Sequence, residues 1–461
     1  MSKCKRKKLF LQLMKKSVHA ILILFLLAAC QKEETSVTRP ATPPQQEETL
    51  LRSWNFLEEK NHCRLYSFQY QSVDINEEEI VLSAAMIVPK LAVTQLSEGI
   101  PQVILACHIS LFDKEECPSF FCANEKSTEM SGLVQKRNSL IIVPDYEGYG
   151  ASSDRKRPYV VKELSGRQCA DALLAGMDLY RELSKNAFLP RLSTAYRCIL
   201  MGYSQGASTA LSTQQYLEQQ GLDTEVHLKG TVCGGAPTDL LETIKALFRD
   251  FGGRTDNPFT IAMVATGFCD CLPEMKEYSA EVYFSKAFID TGLLEWLQSG
   301  LYSVSEMMKM TYEHCVNGYT APDGTLYSAG QARALFPVLE KKALSYSLEA
   351  DLKEMLSPQC YAYLSEKDLY QLPESGEGPM YALHKALYEN SFLGGWEPRH
   401  SILMLHSTED RTISFRNTKS FTEHHPLAPV TVKELSYGDH ILTGTQFYIR
   451  EVFSNSDFDS L

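Results

Sequence analysis

"ILMGYSQGAS", residues 199–208, sets an apolar run against Gly-Tyr-Ser-Gln-Gly and then against small, helix-compatible residues. A serine between two glycines at the point where a strand becomes a helix has a geometric reading. The turn is strained, side chains at the flanking positions would collide with neighbouring elements, and the serine oxygen is lifted above the sheet. The amide of the next residue, Gln205, then points into the same space at the positive end of the helix it begins, where it can bind an oxyanion.

Such a serine needs a base to take its proton, and the base needs an acid to hold its tautomer. Candidates for both stand downstream of Ser204, an acid first and a histidine after it. "ILMLHSTEDRTISF", residues 402–415, places Asp410 just beyond an apolar run and three residues before Ile413, with Glu409 as a rival acid. "VTVKELSYGDHILTG", residues 430–444, places His440 in a turn after the last strand-like run and before a final helix expected from Ile441 to about Phe453. His406, His424 and His425 compete for the same role, and His440 is preferred on position.

Five short and nearly unbroken apolar runs, "QVILACH", "LIIVPD", "CILMGYS", "LKGTVCGG" and "ILMLHS", each stop at a Gly, Asp, His or Ser. Runs of this type suit central strands of a parallel sheet covered on both faces, with reactive groups collected at the carboxyl ends. Ahead of them, Arg64 to Val73 and Glu79 to Val88 alternate like a half-buried antiparallel pair, which Pro89 ends. Helical patterns fall at Lys162 to Asn186 and Ala207 to Gln219. The expected fold class is α/β: a mostly parallel central sheet flanked by helices.

Residues 241–396 break the alternation. "EMKEYSAEVYFSKAFIDTGLLEWLQ" and "SVSEMMKMTYEHC" carry apolar residues at three- and four-residue intervals, which predicts a helical insertion after the strand in "GTVCGGAP". A second, independent helical domain is the alternative. An insertion entering there lies over Ser204, and Phe259, Met263, Phe268, Phe284, Phe288, Trp296, Met307 and Met308 form a set able to line an apolar cleft, most of them ordinary packing residues, with a few facing the serine.

The N-terminus, "MSKCKRKKLFLQLMKK", is strongly basic and runs into an apolar stretch, Ala20 to Leu27, followed by Ala28, Ala29 and Cys30. That stretch is short for a membrane span and reads as an export signal over 1–29. Its Leu-Ala-Ala-Cys end resembles the lipobox of bacterial lipoproteins, which implies lipidation of Cys30, a membrane anchor and an outer-membrane address in the cell envelope. Gln31, Lys32, Glu33 and Glu34 resemble the acidic tag of some surface-displayed lipoproteins. Residues 30–50 read as a flexible tether, rich in Thr, Pro, Gln and Glu. The remaining segments, 51–240 and 397–461, form the two parts of the core.

A formal net charge of −12 excludes nucleic acid as a natural partner. Thirteen cysteines are many for an exported chain. Cys117 and Cys122 could close a local disulfide, whereas Cys269 and Cys271 stand too close for a relaxed one. No paired zinc framework is present in the sequence, and neither a metal nor a cofactor is expected.

Taken together, "PDYEGYGAS", "GYSQGA", "GWEPRHSILMLHSTEDRTISF" and "GDHILT" resemble the α/β-hydrolases, and within them the secretory lipase family of cap-bearing lipases and esterases. The resemblance implies Ser204 as nucleophile, Asp410 as acid, His440 as base, Gln205 as one oxyanion donor, and a structural role for Tyr146, Gly148 and Gly150. One position departs from it: the family's His-Gly pair after the third strand is replaced by His108-Ile109 in "ACHISLF", so Ile109 is nominated for the second oxyanion amide. The implied activity is hydrolysis of a small-molecule or lipid carboxylic ester through an acyl-enzyme. A peptidase of the same fold, an esterase of acylated glycans and a non-catalytic scaffold are the alternatives.

Overall fold

The apolar runs become strands because both faces of the sheet are covered. In β4 (Ile100–Cys107), Val103 and Leu105 pack on one side and Ile104 and Ala106 on the other. In β6 (Leu192–Tyr203), Cys198 and Leu200 pair with the first face, Ile199 and Met201 with the second. Alternation therefore changes the direction of burial and not the polarity of the residue. The computed structural model describes residues 49–60, 63–90, 99–121, 139–185, 189–341 and 346–448.

Nine strands form the central sheet in the order β1-β2-β3-β5-β4-β6-β7-β13-β14. Here β1 is Leu51–Lys60, β2 Cys63–Val73, β3 Glu79–Pro89, β5 Ser139–Pro144, β7 Leu228–Gly234, β13 Ser401–Ser407 and β14 Val430–Leu435. From β5 to β14 every neighbouring pair is parallel, while β1, β2, β3 and β5 are joined antiparallel. The pair expected at Arg64–Val73 and Glu79–Val88 is present, with Arg64 opposite Val88 and Val73 opposite Glu79. Strand β1 has no counterpart in the sequence reading; its outward residues Trp54 and Phe56 are exposed, which blurs the two-residue period.

Two helices frame the site: α1 (Lys162–Leu183), packed on the sheet, and α2 (Gln205–Gln220), which starts directly after Ser204. Between β7 and β13 lie α3 (Leu240–Arg249), α4 (Pro258–Cys271), α5 (Val304–Asn317), α6 (Pro358–Glu366), α7 (Pro379–Glu389) and several shorter helices. The insertion is not purely helical. It also holds the short strands β8 (Arg254–Thr255), β9 (Tyr319–Thr320), β10 (Leu326–Tyr327), β11 (Val338–Lys341) and β12 (Tyr346–Asp351), paired as β9-β10 and as β11-β12-β8. Segments of two to six residues are too brief to show a period against the helical pattern around them.

Insertion and core share one apolar interior: Phe112, Tyr159 and Val160 of the core belong to the same buried cluster as Phe259, Phe268, Phe288 and Met355 of the insertion. Beyond β13 come α8 (Arg416–His424) and α9 (His440–Gln446). His440 is the first residue of α9 and not part of the preceding turn, because the Asp439 carboxylate accepts from Leu442 N at 2.8 Å and caps the helix one residue earlier than expected. The expected C-terminal part of this helix reaches past residue 448, outside the described residues, where the signal, Cys30 and the tether up to residue 48 also lie. The Cys117 thiol is free and buried, and Cys122 lies outside the described residues; Cys269 and Cys271 are separate buried thiols.

Candidate active site

Ser204 has φ 55° and ψ −122°, a left-handed value that costs a non-glycine residue and persists only where its surroundings fix it. They do so here. Ser204 N donates to Gly234 O at 2.9 Å, and Ala207 N donates to Ser204 O at 3.0 Å as the helix begins. A Cβ on Gly202 would stand 2.1 Å from Gly206 O, and one on Gly206 would stand 2.1 Å from Cys107 O. Both glycines are therefore required by backbone approach, which is the steric reason for the spacing in "GYSQG".

The loops that carry Asp410 and His440 converge on this turn. His440 Nε2 lies 2.9 Å from Ser204 Oγ, and Nδ1 lies 2.6 Å from Asp410 Oδ2. The other carboxylate oxygen of Asp410 accepts from Thr412 N at 3.0 Å and Ile413 N at 2.8 Å. Burial disfavours the charge on Asp410, but His440 and His406 beside it outweigh burial and hold its pKa well below the ordinary carboxylate range. For His440, burial favours the neutral ring and the Asp410 carboxylate reverses the balance, so its pKa is raised. Glu409, the rival acid, is exposed. His406 is buried behind Asp410 with Nε2–H donated to Ile413 O at 2.8 Å and Nδ1 accepting from the Thr418 hydroxyl at 2.7 Å. His424 and His425 bond carbonyls of their own helix, Ser420 O and Phe421 O.

Three supports escaped the sequence reading. Tyr203 donates its hydroxyl to His440 O at 2.8 Å, pinning the base from the residue next to the serine. Asp256, in the insertion, accepts from Thr412 Oγ1 at 2.9 Å, and Glu349 of β12 accepts from Arg411 at 3.0 Å. The insertion thus braces the loop that carries Asp410. Such contacts join residues 60 to 240 positions apart, and no local pattern encodes them.

The loop after β4 crosses the first turn of α2, since Gly206 also faces His108 O. Three tyrosines from the segment after β5 hold it: Tyr146 donates to His108 O at 3.1 Å, Tyr149 to Leu111 O at 2.5 Å, and Tyr159 pairs with Ser110 Oγ at 2.6 Å. Tyr146 has φ 62° and stacks on His108 with ring centroids 3.8 Å apart. Burial pulls the His108 pKa down to about 4, so the ring is neutral, with Nδ1–H on Ile109 O at 2.6 Å. Ile109 is 45% exposed, so its branched side chain turns to solvent. The backbone N–H groups of Gln205 and Ile109 make no hydrogen bond to a described residue.

A cavity of about 100 Å³, measured to the centre of a water-sized sphere, opens from Ser204 and Gln205 into the insertion. Its wall is aliphatic: Leu240, Ile244, Ile261, Val264, Leu364 and Leu387 are among the lining residues. Of the eight aromatic and methionine residues from which a few were expected to face the serine, Phe284 alone lines the cavity. Phe259, Phe268, Phe288 and Met307 are fully buried in the interior that insertion and core share, because filling so large an interior consumes the bulkiest side chains.

A twisted, mostly parallel sheet with a strained serine at the carboxyl end of β6 and a cap over it is the α/β-hydrolase fold. No family model matches the chain, and no curated protein does. Among solved structures, a candidate hydrolase from Legionella pneumophila matches with a TM-score of 0.64 at 17% identity, over 89% of this chain and 97% of its own. The rice cell wall degrading esterase LipA from Xanthomonas oryzae matches with a TM-score of 0.62 at 17% identity, over 90% and 100%. Candida antarctica lipase A in its closed state matches with a TM-score of 0.56 at 12% identity, over 88% and 82%.

Proposed function

We propose that this protein is a serine hydrolase of carboxylic esters, of the cap-bearing lipase and esterase type, anchored to the outer membrane through lipidated Cys30. The observation that carries the reading is the continuous relay from Asp410 through His440 to Ser204, at the mouth of an aliphatic cavity. Ser204 Oγ attacks the ester carbon as His440 Nε2 takes its proton. The Gln205 and Ile109 N–H groups bind the oxyanion, and His440 returns the proton to the departing alcohol. Water then attacks the acyl-enzyme by the same route, releasing the acid and restoring Ser204. The aliphatic cavity takes the acyl chain, and the naming of two structural neighbours as an esterase and a lipase is in keeping with this.

The test compares p-nitrophenyl esters with aminoacyl anilides on wild type and on Ser204→Ala. Ester turnover lost by several powers of ten in a folded Ser204→Ala protein is expected; unaltered turnover refutes the assignment, and anilide cleavage in preference to ester marks a peptidase. Anchoring is tested on the full-length chain: Cys30→Ala is expected in the soluble fraction, and its retention in membranes after a high-salt wash rejects the lipid anchor.

A further inference from the structure

The side chain of Gln205 plays no part in the relay, although its backbone N–H does. The residue is 7% exposed, and its amide oxygen Oε1 is enclosed without a hydrogen-bond partner. A buried amide oxygen in that state has given up its bonds to water and recovered none. A leucine would fill the same place at the start of α2 without that loss, so the amide needs a reason outside the fold.

Its surroundings supply one. Gln205 and Tyr159 stand between the aliphatic cavity that contains Ser204 and a second, smaller cavity walled by Tyr146, Glu147, Arg157, Ser165 and Gln168. The charged side chains of that second cavity are already engaged within the protein. Glu147 accepts from Arg155 at 2.7 Å and from Gln168 at 2.8 Å, while Arg157 donates to Phe112 O at 3.0 Å and to Leu297 O. What remains for a ligand is neutral: the Gln205 amide, with an acceptor at one end and donors at the other, and the Ser165 hydroxyl. A hydroxyl, which both donates and accepts, is its complement. The cavity, about 10 Å³ on the same measure as above, has the room of a single oxygen atom and not of a ring.

We propose that this cavity is a hydroxyl subsite beside the nucleophile, with the Gln205 amide as its recognition group; the proposal rests on Ser204 being acylated. The hydroxyl has two sources: a free O–H of a polyol alcohol in the ester, or the water that cleaves the acyl-enzyme. In the second case the water oxygen bonds the acyl carbon, its proton passes to His440 Nε2, and Ser204 Oγ leaves with that proton.

Wild-type enzyme is first titrated with a fluorophosphonate, which reacts with an activated serine without a polyol; no label on Ser204 sinks the nucleophile reading and leaves the cavity to be judged separately by its variant's melting temperature. Gln205→Leu is then compared with wild type in three measurements. If the hydroxyl belongs to the substrate, kcat/KM for 1-monooctanoylglycerol relative to ethyl octanoate falls at least about tenfold. If it belongs to water, that ratio holds and methanolysis gains at least about tenfold over hydrolysis when methanol is added. Both ratios staying within about threefold of wild type overturns the subsite. The melting temperature of Gln205→Leu is expected at or above that of wild type, because an unpaired amide has been removed; a clear fall means the amide serves the fold and overturns the proposal as well.

Discussion

Asp410→Asn probes the relay most sharply, because the structure dictates how the asparagine must sit. One carboxylate oxygen of Asp410 is held by the backbone N–H groups of Thr412 and Ile413, the other by His440 Nδ1. An asparagine keeps its carbonyl oxygen on the two backbone donors and turns its NH2 toward His440. Nδ1 must then accept, which places the ring proton on Nε2, 2.9 Å from Ser204 Oγ, where a free lone pair is needed to receive the serine proton. Flipping the amide to rescue the tautomer would set the NH2 against two backbone donors and forfeit both bonds. The expected loss in kcat is about 10³–10⁴-fold near pH 7, or about 4–5.5 kcal/mol of barrier. The assay is p-nitrophenyl butyrate turnover between pH 6 and 9, with near-ultraviolet circular dichroism to confirm folding and Glu409→Gln, an exposed neighbour, as the control. The sign of the pH effect follows from the same pair. Turnover requires neutral His440, and Asp410 raises its pKa, so the acid limb of the wild-type profile lies above the ordinary histidine value of about 6.5. Without that carboxylate, burial is opposed only by the weaker pull of Asp256 and Asp439, and the limb of the residual activity moves to lower pH. A variant within tenfold of wild type, or one whose acid limb does not move down, refutes the reasoning.

Two further outcomes follow from other parts of the molecule. Val264→Trp, which projects bulk into the aliphatic cavity, is expected to lower the kcat/KM ratio of octanoyl to butyryl p-nitrophenyl esters at least tenfold, given that four buried methylenes are worth up to about 3 kcal/mol; an unchanged ratio would place the acyl chain elsewhere. Glu218, on α2, accepts from Trp396, Gln214, His400 and the backbone of Arg399, and although burial opposes its charge these bonds bring its pKa down to about 2. A carboxylate depressed in the folded state contributes stability above its unfolded value of about 4.5 and loses it as pH falls toward 2. The urea midpoint of wild type should drop through that window, and Glu218→Gln should flatten the drop; parallel profiles would remove Glu218 as the cause.

The sequence alone marked most of the sheet and the positions Ser204, Asp410 and His440, and the reason is that both are written in short-range terms. An unbroken apolar run is the local signature of a strand buried on both faces, which located β4, β5, β6, β7 and β13. The steric demand for glycine at 202 and 206 is a demand of the turn itself, so Ser204 could be found without knowing what surrounds it. Asp410 and His440 were legible because each follows a strand of this kind at a fixed remove, although the cap of α9 by Asp439 shifted the helix start by one residue. Strand β1, half exposed at the sheet edge, and the two- to six-residue strands of the insertion carry too little periodicity to be read. Tertiary structure decided everything that depends on which side chains meet across the fold. It set His440 rather than His406 on the serine, although both lie close to Asp410. It gave most of the cap's phenylalanines to the apolar interior that cap and core share and left the cavity wall mainly to aliphatic residues of α3, α4, α6 and α7. It also brought Tyr203, Asp256 and the tyrosines at 146, 149 and 159 onto the reacting loops. Those contacts are fixed by packing at long range, and a chain pattern records periodicity and turns but not the partner each side chain will find.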